Sequence, residues 1–200
     1  VRVDISSIVD PDTRLTGRTG SIRLLVLGGS QGALALNRIV PEALALLADE
    51  MRPIVRHQTG AGRLDVAQEA YKSCGVVATL HPFIEDIADA YAWADVVICR
   101  AGALTVAELS AAGLPAIFVP FPAAVDDHQT ANAQAMVTIG AATIIQERDM
   151  TRESMASVLE SWLENRSELL ERARKARSLA MPDSLSKITE YCLTVAGVPS

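Results

Sequence analysis

Cysteine is scarce: the 200 residues hold 3. Cys74, Cys99 and Cys192 are odd in number, far apart and set in apolar surroundings, so neither a disulfide framework nor a zinc-ligand spacing is present, which fits a reducing compartment. Long apolar runs are missing too. None approaches the roughly 18 residues of a membrane span, and the N-terminus lacks a basic-then-apolar leader pattern. Positive charge is in deficit, with 18 Lys and Arg against 24 Asp and Glu and a formal net charge of −6. That argues against a general nucleic-acid binder, whose affinity would come from neutralising phosphates. No P-loop, Ser/His/Asp triad or pair of catalytic carboxylates can be assembled, and no repeat or low-complexity tract is visible.

What is present suits one large globular domain: half the residues are hydrophobic and 21% are charged, enough for a sizeable core. Residues 1–21 are polar and start at Val1 rather than Met, and read as a linker remnant behind an upstream domain. From Ile22 onward, short runs rich in Val and Ile alternate with helical patterns, the mark of βαβ units and a parallel sheet covered on both faces. Strands are predicted at Ile22–Leu27, Ile54–His57, Val76–Leu80, Val96–Cys99, Ala116–Val119 and Ala142–Ile145. Leu36, Ile39, Val40, Ala43, Leu44 and Leu47 recur at steps of three and four and give one apolar helical face. Further helices are predicted near 62–73, 85–93, 103–112 and 128–139. Thr151 opens a charged helical segment through Arg177, and Pro182-Asp183-Ser184 breaks it and caps a last helix. The expectation is a doubly wound, Rossmann-like α/β domain over 22–180 with a C-terminal helix in 181–200, binding ligands beyond the carboxyl ends of its strands.

The candidate motifs all fall at that edge. Ile98 to Glu108 runs from a strand through Gly102 into a helix start, whose unpaired N–H groups and dipole attract a phosphate. Glu108 lies three residues after Thr105 on one helix side, where a carboxylate can accept from a ribose diol. Gly28-Gly29-Ser30-Gln31-Gly32-Ala33 lets the backbone approach a ligand, with the Ser30 hydroxyl as a donor; it is not GxGxxG, and a plain βα turn is the alternative. A Rossmann dinucleotide site is further disfavoured because His57-Gln58-Thr59-Gly60 ends the second strand where an acidic residue would stand. Pro82-Phe83-Ile84 is suited to flank a base, or else packs under a loop. Asp126-Asp127-His128-Gln129-Thr130-Ala131-Asn132 offers neutral groups for sugar hydroxyls, a metal reading being the weaker one. His57 and His81 read as strand-end or core histidines. The run Glu171 to Arg177 reads as a solvated helix face, with contact to anionic lipid as the alternative.

Taken in order, GGSQGA, HQTG, PFI, AYAWADVVICRAGALTVAEL, AAGLPAIFVPFP and DDHQTANA resemble the MurG family, the peptidoglycan transferases that move N-acetylglucosamine from UDP-GlcNAc onto lipid I to give lipid II. The resemblance runs from Val1 to the last helix and covers the C-terminal, donor-binding half of a two-domain GT-B enzyme, so the acceptor domain is expected upstream. It implies donor contacts at Arg2, at Ser30, at Ile84 against uracil, along Ala103, Leu104, Thr105, Val106, Ala107 and Glu108 around diphosphate and ribose, and at Gln129 on the sugar. It also implies an inverting displacement by the acceptor 4-hydroxyl without an obligatory metal or other cofactor. The same resemblance implies a peripheral place on the cytoplasmic side of the bacterial membrane and a part in cell-wall growth, cell shape and division, with no catalytic base assigned. Another UDP-sugar glycosyltransferase or epimerase of this architecture, or a nucleotide-sugar binding module, remains the alternative.

Overall fold

The structure, a computed structural model, describes residues 1–29, 33–122 and 127–195. Six parallel strands form one sheet: β1 (Arg23–Leu27), β2 (Ile54–Gln58), β3 (Thr79–His81), β4 (Val96–Cys99), β5 (Ala116–Phe118) and β6 (Ala142–Ile144). Their order is β3-β2-β1-β4-β5-β6, so the chain reverses direction across the sheet between β1 and β4 and leaves a crevice there. Successive side chains of a strand point to opposite faces, and β1 is apolar on both. Leu24 and Val26 join Leu36, Val40, Val55, Ile98 and Trp162 in one core, while Leu25 and Leu27 join Ile5, Tyr91, Leu109, Phe118 and Met136 in the other.

The first core is roofed by α3 (Leu34–Leu46), α4 (Leu64–Ser73) and α8 (Arg152–Leu163). The second lies under α5 (Ile87–Trp93), α6 (Ala103–Ala112) and α7 (His128–Thr138). The helical tail continues through α9 (Arg166–Ser178) to α10 (Ser184–Val195). Thr151 caps α8 with a reciprocal box to Ser154, and Asn165 splits the expected long segment by accepting from Ser167 and Glu168 N–H to start α9.

Two elements differ from expectation. The predicted strand at Val76 begins at Thr79, because Val76 N–H closes the end of α4 on the Tyr71 carbonyl at 3.0 Å with Gly75 left-handed beside it. Residues 1–21, read as a linker on their polarity, carry α1 (Val3–Ser6) and α2 (Pro11–Leu15) and are seated on the domain. Their polar groups are ties. Ile5 is fully buried, and Arg14 donates to the carbonyls of Ala112 at 2.6 Å and Gly113 at 2.8 Å. Gly113 ends α6 at φ 60°, and a Cβ there would meet Pro11 Cγ at 2.6 Å, so glycine is required for both the cap and the contact.

Arginines from α9 tie the same sheet edge. Arg172 donates to the Gly140 carbonyl at 3.0 Å and lies over the Trp162 ring, Arg174 pairs with Asp12 and Glu171, and Arg177 bonds the Ala111 carbonyl. The basic run read as a solvated face therefore serves largely as intramolecular ties.

Candidate functional site

A cleft of about 250 Å³ opens at the crevice between the carboxyl ends of β1 and β4. Arg2, Gly29, Gln58, Phe83, Ile84, Arg100 and Thr105 line it. Its floor is apolar because Leu27 and Cys99 end the two central strands there. Burial raises the Cys99 thiol well above its ordinary range, so it is a packing group and not a nucleophile.

The turn from β4 into α6 is held from several sides. Gln129 Oε1 accepts from Ala101 N–H at 3.2 Å and from Phe121 N–H at 3.0 Å. Asn132 Nδ2 donates to the Ala101 carbonyl at 3.0 Å. The Arg100 guanidinium donates to the carbonyls of Val119 and Pro120, each at 3.0 Å, and pairs with Glu147 at 2.5 Å. Gly102 caps α6 without a side-chain bond, and the first intrahelical N–H to bond is that of Val106, to the Gly102 carbonyl. The N–H groups of Ala103, Leu104 and Thr105 thus have no partner within the helix. They lie at the positive end of a ten-residue helix, the electrostatics an anionic ligand requires.

One turn further, Glu108 is buried at 8% exposure and accepts from the Tyr91 hydroxyl at 3.1 Å. Burial and the neighbouring Glu108 charge push the Tyr91 phenol up, so it stays protonated and remains a donor. Among the described residues no three His, Cys, Asp or Glu side chains gather as metal ligands.

The opposite wall is built on the end of β2. Gln58 is buried, with its Oε1 accepting from Ile84 N–H at 3.0 Å, and its carbonyl accepts from Gly28 N–H at 3.0 Å. Asn37 of α3 donates to the Thr59 carbonyl at 3.0 Å. His57, fully buried, bonds the Tyr71 hydroxyl through Nδ1 at 3.0 Å, and burial pushes its pKa down to about 3. Phe83 stands 57% exposed at the rim.

The structure brings Arg2, Ile84 and Thr105 to one cleft and places Glu108 a turn behind Thr105. It does not gather the whole helix start. Ala103, Val106 and Ala107 line a second groove with Leu179 and Met181, and Leu104 is 63% exposed, so of the stretch only Thr105 lines the cleft. Gln129 uses its carbonyl oxygen on two loops. Ser30 and Asp126 lie outside the described residues. Sequence reasoning did not single out Gln58, Tyr91 or Arg100, whose partners are 17 to 26 residues away and form no local pattern.

Residues 23–188 match the glycosyltransferase family 28 C-terminal domain. The chain is 52% identical over 196 residues to a UDP-N-acetylglucosamine–N-acetylmuramyl-(pentapeptide) pyrophosphoryl-undecaprenol N-acetylglucosamine transferase of Marinobacter nauticus, covering 98% of this chain and 54% of that protein. It therefore spans about half the length of the curated relatives it matches. The crystal structure of Acinetobacter baumannii MurG superposes with a TM-score of 0.86 at 41% identity, covering 94% of this chain and 54% of that one. A UDP-GlcNAc 2-epimerase from Neisseria meningitidis covers 92% of this chain and 46% of its own, with a TM-score of 0.59 at 10% identity, a likeness of fold alone.

Proposed function

The chain belongs to the glycosyltransferase family 28 C-terminal domains, and from that premise we propose that its carboxyl-edge cleft binds UDP-GlcNAc as the donor half of a MurG-type transferase. The observation that carries this reading is the unpaired N-terminus of α6, whose Thr105 lines a cleft that also holds Arg2 and Ile84, with the Glu108 carboxylate one turn behind. A diphosphate at the helix start puts the ribose near Glu108 and the uracil toward Ile84. The sugar then extends toward Gln129.

In the whole protein, the acceptor 4-hydroxyl of lipid I gives up its proton to a base and forms its bond to the anomeric carbon as the bond to the diphosphate breaks, giving lipid II with inversion. UDP departs with the electron pair, and the N–H groups of Ala103 to Thr105 stabilise its charge where it develops. The reaction belongs to cell-wall growth, and through it to cell shape and division, at the cytoplasmic face of the membrane. Among the described residues no helix is long and apolar enough to cross a membrane, in keeping with peripheral attachment. Holding donor and acceptor together supplies about 7–11 kcal/mol of such a barrier, so the 200-residue chain is expected to bind UDP-GlcNAc without forming lipid II.

Calorimetry on the wild-type chain and Glu108→Gln tests the assignment. The substitution keeps the side-chain size and removes the charge, with an expected loss of about 1–3 kcal/mol in UDP affinity. Equal discrimination against 2′-deoxy-UDP by both proteins would remove Glu108 from the ribose, and lipid II formation by the chain alone would overturn its reading as a donor half.

A further inference from the structure

Two arginines line the cleft, and they are held differently. Arg2 is half exposed, and its one ion-pair partner among the described residues, Asp4, stands 3.8 Å away and is itself half exposed. Arg2 is available to an anion. Arg100 is not: its guanidinium is largely buried, over the Phe121 ring and against the carbonyls of Val119 and Pro120, with Glu147 at 2.5 Å. Glu147 reaches it from the single turn Glu147–Asp149 behind β6, and Arg100 stands three residues before Ala103, the first residue of α6. Among the described residues the Glu147 side chain has no other polar partner, and its Oε2 is shut off from solvent. Desolvating a carboxylate is unfavourable unless its charge is matched. A glutamine would offer the same guanidinium an amide oxygen, so what the carboxylate adds is its charge.

We propose that Glu147 is a positioning residue that sets how tightly the site holds free UDP relative to UDP-GlcNAc, by offsetting the Arg100 charge near the start of α6 and holding that guanidinium against the end of β5. The inference rests on the UDP-GlcNAc reading given above. In the sugar nucleotide the diphosphate is esterified at both ends. When the bond to the sugar breaks, UDP gains a terminal phosphate whose last proton leaves at about pH 6, so at neutral pH the product carries one more negative charge than the donor. An unmatched guanidinium near a helix start whose own field already attracts anions favours the product over the donor. Glu147 removes that preference, and the product leaves more readily.

The test is calorimetry of UDP and UDP-GlcNAc on the wild-type chain, Glu147→Gln, Glu147→Asp and Arg100→Gln, with thermal melts to confirm that each is folded. Gln at 147 keeps an acceptor and removes the charge; Asp keeps the charge. Glu147→Gln is expected to raise the affinity for UDP relative to UDP-GlcNAc by about three- to tenfold, the worth of one unmatched charge in a partly solvated site, and the gain should shrink as salt is added. Glu147→Asp should keep the wild-type ratio to within about twofold. Arg100→Gln leaves the carboxylate unmatched and should lower the ratio. An unchanged ratio in folded Glu147→Gln overturns the proposal, as does an equal rise in Glu147→Gln and Glu147→Asp, which traces the effect to loop packing, or a ratio that does not fall in folded Arg100→Gln. If the unaltered chain binds neither ligand, the donor reading fails and the proposal with it, whereas binding of both with equal ratios in all four proteins condemns the role of Glu147 alone.

Discussion

The two edges of the sheet are assembled with different chemistry. At the amino edge the ties are ionic. Asp95, 1% exposed, holds Arg18 at 2.6 Å, Arg166 at 3.4 Å and the Arg23 N–H at 2.9 Å, while Arg14, Arg172 and Arg177 cap carbonyls at the ends of α6 and α7. At the carboxyl edge the ties are neutral amides: Asn37, Gln58, Gln129 and Asn132 each hold loop backbone. Arg100 is the exception, and its guanidinium is turned to two carbonyls and Glu147. Charged ties suit an edge that anchors distant segments. Amide ties hold loops in place without adding a fixed charge beside a helix start whose own field attracts an anion.

The contrast is broken most severely at Asp95. Asp95→Ala leaves Arg18 and Arg166 without their shared carboxylate and the Arg23 N–H without its acceptor, and removing one partner of a buried pair costs about 3–5 kcal/mol. Urea unfolding should show that loss while UDP affinity of the folded fraction stays within error. An equal drop in affinity would mean the two edges are not separable.

Acid should act next, through His57 beside the Gln58 amide. Its ordinary pKa of 6.5 falls to about 3 on burial, so between these values the unfolded chain binds a proton that the folded one does not. The stability present above pH 6.5 is therefore lost as pH falls, by about 1.4 kcal/mol per unit, or about 2 kcal/mol by pH 5. Unfolding free energies from pH 7 to 5 measure this slope. His57→Phe should show a slope smaller by one proton, and identical slopes would mean that His57 is not the group responsible.

The fold was legible where the signal is local. Runs such as Val96–Cys99 and the pattern of steps of three and four through Leu36, Ile39 and Val40 mark strands and helices by period alone, and Gly113-Leu114-Pro115 marks the end of α6. The seating of the segment 1–21 was not legible because a polar residue looks alike in solvent and in a tie: Arg14 meets its carbonyls 98 and 99 positions away. The candidate site was legible to the same depth. Gly102, Thr105 and Glu108 share one helix and could be placed from spacing. Gln129 and Asn132 were expected to serve a sugar, yet an amide in sequence does not say whether it meets a ligand or a neighbouring loop, and in the fold both hold the Ala101 turn.

The smallest effect tests how the carboxyl edge manages Glu108, its one buried carboxylate among the described residues. Tyr91→Phe keeps the ring in the core and removes only the hydroxyl that Glu108 accepts. Glu108 remains on α6, so the expected loss is about 0.5–1 kcal/mol in UDP affinity, the lower part of the range for a hydrogen bond. A double-mutant cycle separates positioning from packing. If the hydroxyl acts through the carboxylate, Tyr91→Phe costs affinity in the wild-type chain and nothing further beside Glu108→Ala, because the acceptor it served is already gone. Packing effects add independently of Glu108. Losses that sum in the double mutant to within about 0.3 kcal/mol, the additivity expected of uncoupled sites, would show that Tyr91 contributes to the core alone and that the position of Glu108 is set by α6.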